Sequence, residues 1–363
     1  MAQTGNVMNK LIFTLKALAD DINIRSTHGT LILVLDDANV SGQHTYKKLK
    51  KVTDGWEDKN KEYIKRAFVD YGVKKIMVFS GHEDGGIADS LGGILKSMDR
   101  VYENGWVVAP QIENESEKKI LCDWIKTQRR DEDYPIKGVV YNYKADCEAI
   151  VNFTGSNFGD GITTTSDEYC VDVASYLCVL GSNEGITSHV AKNVTDCDVK
   201  NDNDDCVGNG ELFLYNDGTD IVYSRGVNSL TTIPADQSEY LTKIRVIEII
   251  DLIKSDLRLS FKKNYLGRYG NSYKNRKTLV NVVNSYLKTV QKQGYLSNDK
   301  DSFCELDVEA TRNYLETVRM VDCDDMDDNE ILKHPIDTHV FLKITLYVMD
   351  VVEDVQISLL YTE

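Results

Sequence analysis

The sequence predicts an α/β fold with an α+β carboxy-terminal part. A mixed, mostly parallel sheet domain is expected between an amino-terminal arm and a carboxy-terminal α+β domain. Three observations predict this. Short apolar runs alternate with helical patterns from Thr30 to about Leu180, as in strands joined by helices that cover both faces of a sheet. After Pro234 the character changes to two long helical patterns followed by two strands. Each end of the chain also carries a short, alternating apolar segment, and a lone strand needs an edge to pair with.

The elements follow in order. Asn9 to Ala17 (NKLIFTLKA) alternates Leu11, Phe13 and Leu15 with Ile12, Thr14 and Lys16, a strand pattern. Leu31 to Asp37 is a buried strand, and the helix expected next has Ile64, Ala67, Phe68 and Tyr71 on one face. A strand ends at Gly81, and Ile87, Leu91, Ile94, Leu95, Met98 and Val101 mark the following helix. The strand NGWVVAP precedes a helix bearing Ile120, Leu121, Trp124 and Ile125. Gly138–Asn142 and Ala149–Phe153 read as two further strands, and Thr165 with Glu168 forms a capping box for another helix. Asp196 to Gly210 is an acidic loop. Leu212–Tyr215 and Ile221–Tyr223 read as a hairpin through Asn216-Asp217-Gly218. Long helices are predicted from about Asp236 to Leu259 and around Leu279 to Val290, then strands His339–Met349 and Val355–Tyr361.

Composition narrows the function. The chain has 363 residues and a net charge of -16, about two domains' worth of globular sequence and unsuited to bulk nucleic-acid binding. With no long apolar run and no signal-peptide order at MAQTGNVMNK, a cytoplasmic protein with no membrane span is expected. Eight cysteines without a C-x-x-C pair read as reduced thiols rather than a zinc site or a disulfide framework. Cys197 and Cys206 are the pair best placed should a disulfide form.

No phosphate-binding glycine loop, nucleophile elbow or zinc-protease pattern is present, so no cofactor, no metal and no catalytic residue is assigned. The strand-end loop Ser80 to Gly86 (SGHEDGG) holds a histidine and two acids where α/β folds place ligands, and it supports a reading as an enzyme or ligand-binding protein. The plainer reading is a solvated turn. The acidic runs near Asp196–Asp205 and Asp322–Glu330 lack calcium-loop spacing.

Charge is unevenly spread. Between Tyr240 and Tyr295 stand twelve basic residues against Glu248, Asp251 and Asp256, a local excess of nine inside an acidic chain. The densest part, Lys262, Lys263, Arg268, Lys274, Arg276 and Lys277, is interleaved with Tyr265, Tyr269 and Tyr273. Such a loop suits single-stranded nucleic acid or an acidic protein surface, and the plainer reading is a solvated face. Strands at chain ends, in turn, suit either pairing within the chain or donation to a neighbouring molecule's sheet; in the second case a non-closing rotation between neighbours gives a helical polymer.

Val222-Tyr223-Ser224-Arg225-Gly226-Val227-Asn228-Ser229-Leu230-Thr231 resembles the strand and turn that open the carboxy-terminal domain of the contractile tail sheath family of phage tails and R-type bacteriocins. Lys243-Ile244-Arg245, Asn264-Tyr265-Leu266-Gly267-Arg268-Tyr269 and the ending Met349-Asp350-Val351-Val352-Glu353 are similar to it as well. So is the entry Ile24-Arg25-Ser26-Thr27-His28-Gly29-Thr30, whose form is most similar to sheaths of phage-like particles from Gram-positive hosts. The proline that many relatives have near Val348 is missing.

The resemblance implies a mechanical, non-enzymatic subunit. It would polymerise as stacked, sixfold rings around an inner tail tube and contract from a metastable state, with baseplate and tail-terminator proteins as further partners. Assembly in the bacterial cytoplasm and a place in a virion tail or released bacteriocin are implied too. It divides the chain into an arm (1–25), an outer α/β domain (26–220) and a tube-facing carboxy-terminal domain (221–363) whose own arm is about 350–363. The intersubunit strands would be Leu11, Ile12, Phe13, Thr14, Leu15 and Val355, Gln356, Ile357, Ser358, Leu359, Leu360, Tyr361. Lys262, Lys263, Arg268, Lys274, Arg276 and Lys277 would face the tube, and no nucleic acid is expected.

Overall fold

The computed structural model describes residues 29–354, 356 and 358, apart from Arg100, Tyr102, Ser182, Asn183, 234–237 and Leu266. The expected amino-terminal strand therefore lies outside the described residues. Packing separates a unit that ends at Asp251 and resumes at Asp350 from a second unit, Leu252–Met349.

The first unit is built on a seven-stranded sheet: β1 (Thr30–Asp36), β2 (Gly42–Tyr46), β3 (Lys75–Gly81), β4 (Gly105–Val108), β5 (Ile136–Tyr141), β6 (Ile150–Phe153) and β7 (Glu211–Leu212). Their order is β2-β3-β1-β4-β5-β6-β7. All neighbours are parallel except β2, which runs antiparallel to β3. The sheet is thus mixed and mostly parallel, as the alternation predicts.

Central β1 explains the two layers. Leu31, Leu33 and Leu35 belong to one apolar cluster, Ile32 and Val34 to the other, because successive strand residues face opposite sides. Helices α1 (Asp58–Arg66) and α4 (Ser166–Val179) cover the first face through Tyr63, Ile64, Tyr169 and Val173. Helices α2 (Ile87–Met98) and α3 (Glu115–Glu132) cover the second through Leu91, Leu95, Leu121 and Ile125. The predicted box starts α4: the Glu168 N–H donates to Thr165 Oγ1 at 3.5 Å, and the Thr165 N–H to Glu168 Oε2 at 3.1 Å.

Several predicted boundaries change. Strand β2 precedes the first helix, where a helix was expected directly; its sequence GQHTY is polar and belongs at a sheet edge. The acidic loop contains a short helix, α5 (Asn203–Gly208). The hairpin forms as β8 (Leu214–Asn216) and β9 (Ile221–Tyr223). Ile221, Tyr223 and Ile244 join the first apolar cluster, so the first unit extends past Asp220 to Asp251.

A buried ion network completes that unit. Lys137 and Asp251 have side chains 1% exposed. Arg129 grips Asp251 with both guanidinium nitrogens, at 2.8 and 3.1 Å. Lys137 Nζ lies 3.4 Å from Asp251 Oδ2 and donates to Asn104 Oδ1 at 2.7 Å, over the Trp106 ring.

In the second unit, α6 (Ile244–Asn264, its last turns counted here) is followed by α7 (Tyr273–Lys292). The first of these begins and ends later than predicted. Leu279, Val283, Tyr286, Leu287 and Val290 form the buried stripe of α7. A two-stranded antiparallel sheet pairs β10 (Phe303–Leu306) with β11 (Leu342–Thr345). Helices α8 (Val308–Thr317) and α9 (Asp328–Lys333) close a small cluster around Leu315, Cys323, Ile331 and Ile336. The regular strand predicted over His339–Met349 is confined to β11, with an isolated bridge from Leu296 to Val348 beyond it. All eight cysteines are free, including Cys197 and Cys206. Among the described residues no helix is long and apolar enough to cross a membrane.

Candidate assembly interface

Among the described residues, the two-stranded sheet has one edge sealed by a side chain and one edge that meets no partner. On β10, the Cys304 N–H donates to Asn284 Oδ1 at 2.7 Å, and Asn284 Nδ2 donates to the Cys304 carbonyl at 2.9 Å. The amide of α7 thus stands in for a third strand. These bonds make Cys304–Ile344 a pair without ladder bonds, consistent with the Asp307 N–H donating to the Phe341 carbonyl at 3.0 Å. The odd-numbered residues from Phe341 to Thr345 therefore bond towards β10, and Met349 donates on the same side to the Tyr295 carbonyl. Tyr347 continues this, donating to Ser302 Oγ and accepting from the Ser297 N–H.

The main-chain groups of Leu342, Ile344, Leu346 and Val348 then face the other way. Among the described residues they meet no hydrogen-bond partner on that side. At about 3.3 Å per residue the regular part, β11, is roughly 13 Å of strand edge, and the half-buried Leu346 and Val348 continue it to the bridge with Leu296. Of the predicted donor strands, Leu11, Ile12, Phe13, Thr14 and Leu15 lie outside the described residues, as do Val355, Ile357, Leu359, Leu360 and Tyr361. Gln356 and Ser358 are exposed and belong to no strand.

The basic segment is partly as predicted. Lys262 and Lys263 are exposed in the last turn of α6, Arg268 lies in the turn after it, and Lys274 and Lys277 are exposed on the first turns of α7. No acid occurs between Asp256 and Asp299. Tyr265 is buried and packs on exposed Tyr269, their centroids 5.1 Å apart. The turn is held by Asn271, whose Nδ2 donates to the carbonyls of Asp337 and His339. Ser272 caps α7.

Arg276 is a correction. It is 3% exposed, donates to the His334 carbonyl at 3.2 Å, and burial lowers its pKa. It lies three residues before Leu279 and seven before Val283, so its helical phase places it on the buried stripe. That signal was available in the sequence.

The loop Ser80–Gly86 forms a locked turn. His82 Nδ1 lies 2.9 Å from Asp36 Oδ2, and this carboxylate, the first cause, raises the His82 pKa. Ser90 Oγ lies 3.0 Å from both Asp36 Oδ1 and the Gly86 carbonyl, so its hydroxyl is bonded away from His82 and the three do not form a nucleophile–base pair. The sheet order reverses between β1 and β4, where doubly wound folds bind ligands. There Gln111 receives the Asp36 N–H at 2.7 Å and donates to the Asp36 carbonyl at 2.9 Å, and Asn60 donates to that same carbonyl. At this point the chain's own amides already bond the main chain of Asp36. Among the described residues no group of three acids, histidines or cysteines is placed to hold a metal ion.

The stretch Val222–Thr231 ties the first unit together, a role its sequence did not disclose. The Ser229 N–H donates to the Ile150 carbonyl and its hydroxyl to that of Cys147. Asn228 Nδ2 donates to the Leu241 carbonyl, and the Thr231 N–H to Asp146.

Residues 236–355 match the family described as phage tail sheath C-terminal domain. The tail sheath protein of Clostridium phage phiCD119 is 32% identical over 355 residues, covering 94% of this chain and 96% of that one. The fold is that of a sheath tail protein from Listeria innocua (TM-score 0.69, 14% identity, 92% and 99% of the two chains). It is also that of the anti-feeding prophage helical sheath in the contracted state (TM-score 0.63, 11% identity, 100% and 98%). With one relative this similar along nearly its whole length, the chain belongs to the tail sheath protein family.

Proposed function

We propose that the chain is the repeating subunit of a contractile sheath. It polymerises as stacked, sixfold rings around an inner tube, with a baseplate and a terminator at the ends. Contraction runs from an extended, metastable state to a shorter and more stable one.

The observation that carries the reading is the edge Leu342–Val348, which meets no partner among the described residues. An apolar strand edge left unpaired in a folded unit is a template for another chain. Strand addition supplies directional main-chain bonds without a large rigid interface, so it suits subunits that stay linked while they move. Leu11–Leu15 and Val355–Tyr361 have the alternation such a donor needs.

Docking on the tube is assigned to Lys262, Lys263, Arg268, Lys274 and Lys277, with Arg276 withdrawn. Lys274 and Lys277 sit at a helix start, where cations oppose the helix dipole. Their placement serves attraction of an acidic partner better than it serves stability. Exposed charge pairs are individually weak and salt-screened, which suits a contact that must break on contraction.

Negative-stain electron microscopy of the expressed protein tests the polymer: rods or rings are expected, and a population of monomers alone at high concentration overturns it. Reversing Lys274 and Lys277 to Glu tests the tube surface. Unchanged co-assembly with the tube protein would refute that assignment.

A further inference from the structure

We propose that Thr187, Arg225 and Lys243 form a cradle that grips Asp350, Glu353 and Asp354 of the same chain and fixes the point from which the carboxy-terminal segment departs. This rests on the reading above that the segment pairs with a neighbour.

Glu353 is the centre. Its carboxylate is 10% exposed, accepts from the Thr187 hydroxyl at 2.8 Å, contacts Lys243 Nζ, and has Arg225 Nη1 at 3.8 Å. Lys243 also reaches Asp350 Oδ2 at 3.5 Å, and Arg225 Nη2 meets the Asp354 carboxylate. Three acids within five residues thus engage two cations from separate parts of the first unit.

The cradle is itself built in. Thr187 Oγ1 accepts the Gly226 N–H at 3.0 Å, and the Gly226 carbonyl accepts the Ile244 N–H at 3.0 Å. A Cβ at Gly226 would stand 3.0 Å from Ile186 Cγ2, so glycine permits this approach. Between the charged contacts Val351 lies over Gly185, where an added Cβ would come within 3.1 Å of Val351 Cγ2. Isolated exposed ion pairs contribute little. A half-buried carboxylate shared by a lysine, an arginine and a hydroxyl is a network with defined geometry.

The consequence is mechanical. Tension on a donated strand from Val355 onward reaches the cradle before it reaches β11. The cradle therefore decides where the strand starts and bears the load that pairing places on it.

Hydrogen exchange of residues 350–354 in the full-length protein, together with polymer mass by sedimentation, tests this. Glu353→Lys is expected to speed exchange there at least about tenfold and to raise the protein concentration needed for polymer by about tenfold. Adding Lys243→Glu to Glu353→Lys is expected to restore neither, because each new charge then faces a like one, at Asp350 and at Arg225. A thermal melt of each variant identifies loss of folding, and the milder Asp354→Asn with Glu353→Gln replaces any variant that fails it. Unchanged exchange in the charge variants, or polymer formation indistinguishable from wild type, overturns the proposal. Truncation after Asp354 judges the other reading: a truncated chain that still polymerises refutes donation of the carboxy-terminal strand, while exchange at 350–354 continues to judge the cradle.

Discussion

The two sheets of this molecule face the same physical problem and end in opposite states. The seven-stranded sheet is bounded by β2, five largely polar residues, and β7, two residues. Where β1 outruns β4, Gln111 saturates the main chain of Asp36. The two-stranded sheet uses the same device on one side only: Asn284 saturates Cys304, while Leu342 to Val348 carry no such cover among the described residues. Two amides doing the same work in both units show that this chain can close a ladder with a side chain. The lack of a partner among the described residues is therefore particular to this strand rather than a general looseness of the fold.

The largest expected effect comes from breaking that edge. Ile344→Pro removes an outward N–H and leaves the bonds to β10 untouched, a substitution edge strands tolerate. Polymer is expected to disappear from micrographs while the thermal melt stays within a few degrees of wild type. Lys343→Pro is the contrast, since its N–H faces β10 and its loss disrupts the sheet itself. If Ile344→Pro polymerised normally, the edge would not be the junction.

Next comes the closed unit. Asp251→Leu leaves Lys137 buried without its nearest carboxylate, and losing one partner of a buried pair typically costs about 3–5 kcal/mol. Chemical denaturation is expected to show that loss at any salt concentration, because the pair is shielded from screening. A loss below about 1 kcal/mol would mean that Glu248, 3.5 Å from Lys137, takes over as its counter-ion.

The two amide seals allow a direct comparison. Asn284→Ala strands the N–H and carbonyl of Cys304, and Gln111→Ala strands the Asp36 N–H while Asn60 keeps its carbonyl, each an effect of about 1–3 kcal/mol. Their consequences should nevertheless diverge. Removing Gln111 uncovers a strand end between two neighbours, whereas removing Asn284 uncovers a second edge on the small sheet. Sedimentation at rising concentration is expected to show irregular aggregates for Asn284→Ala and none for Gln111→Ala.

How much of this was legible in the sequence depends on the range of the interaction. Strands such as Leu31–Leu35, apolar on both faces, stand out because local composition reports burial. The alternation from Val340 to Val348 likewise disclosed a strand with one apolar face. Strand β2 stayed hidden because an edge strand can be polar, and β10 because four residues, FCEL, carry little periodicity. Gln111 and Asn284 had no local signal at all. One acts across 75 positions and the other across 20, and a lone amide looks the same whether it seals a ladder or faces solvent. The family resemblance supplied the partners, while the open edge, the buried Arg276 and the cradle required the fold.

The smallest predicted effect concerns the turn that leaves the family-like stretch. Asp146 Oδ1 accepts from the main-chain N–H groups of Thr231 and Thr232, both at 2.8 Å. The Thr231 N–H first, then that of Thr232, holds its pKa down to about 2. A carboxylate with a lower pKa in the folded than in the unfolded chain stabilises the fold at pH values above the unfolded pKa. That stabilisation fades as pH falls through the folded one. Asp146 therefore contributes fully above about pH 4 and loses its contribution towards pH 2. Each pKa unit corresponds to about 1.4 kcal/mol, but Asp146 is exposed, and screening leaves about 1 kcal/mol or less. Asp146→Asn suits the test because asparagine tolerates the left-handed backbone at this position (φ 48°) and keeps the acceptor oxygen. The stability difference between wild type and variant should shrink on acidification from about pH 5 to pH 2.5. A difference that stays constant over that range would show that the turn is held by the oxygen alone, without help from its charge.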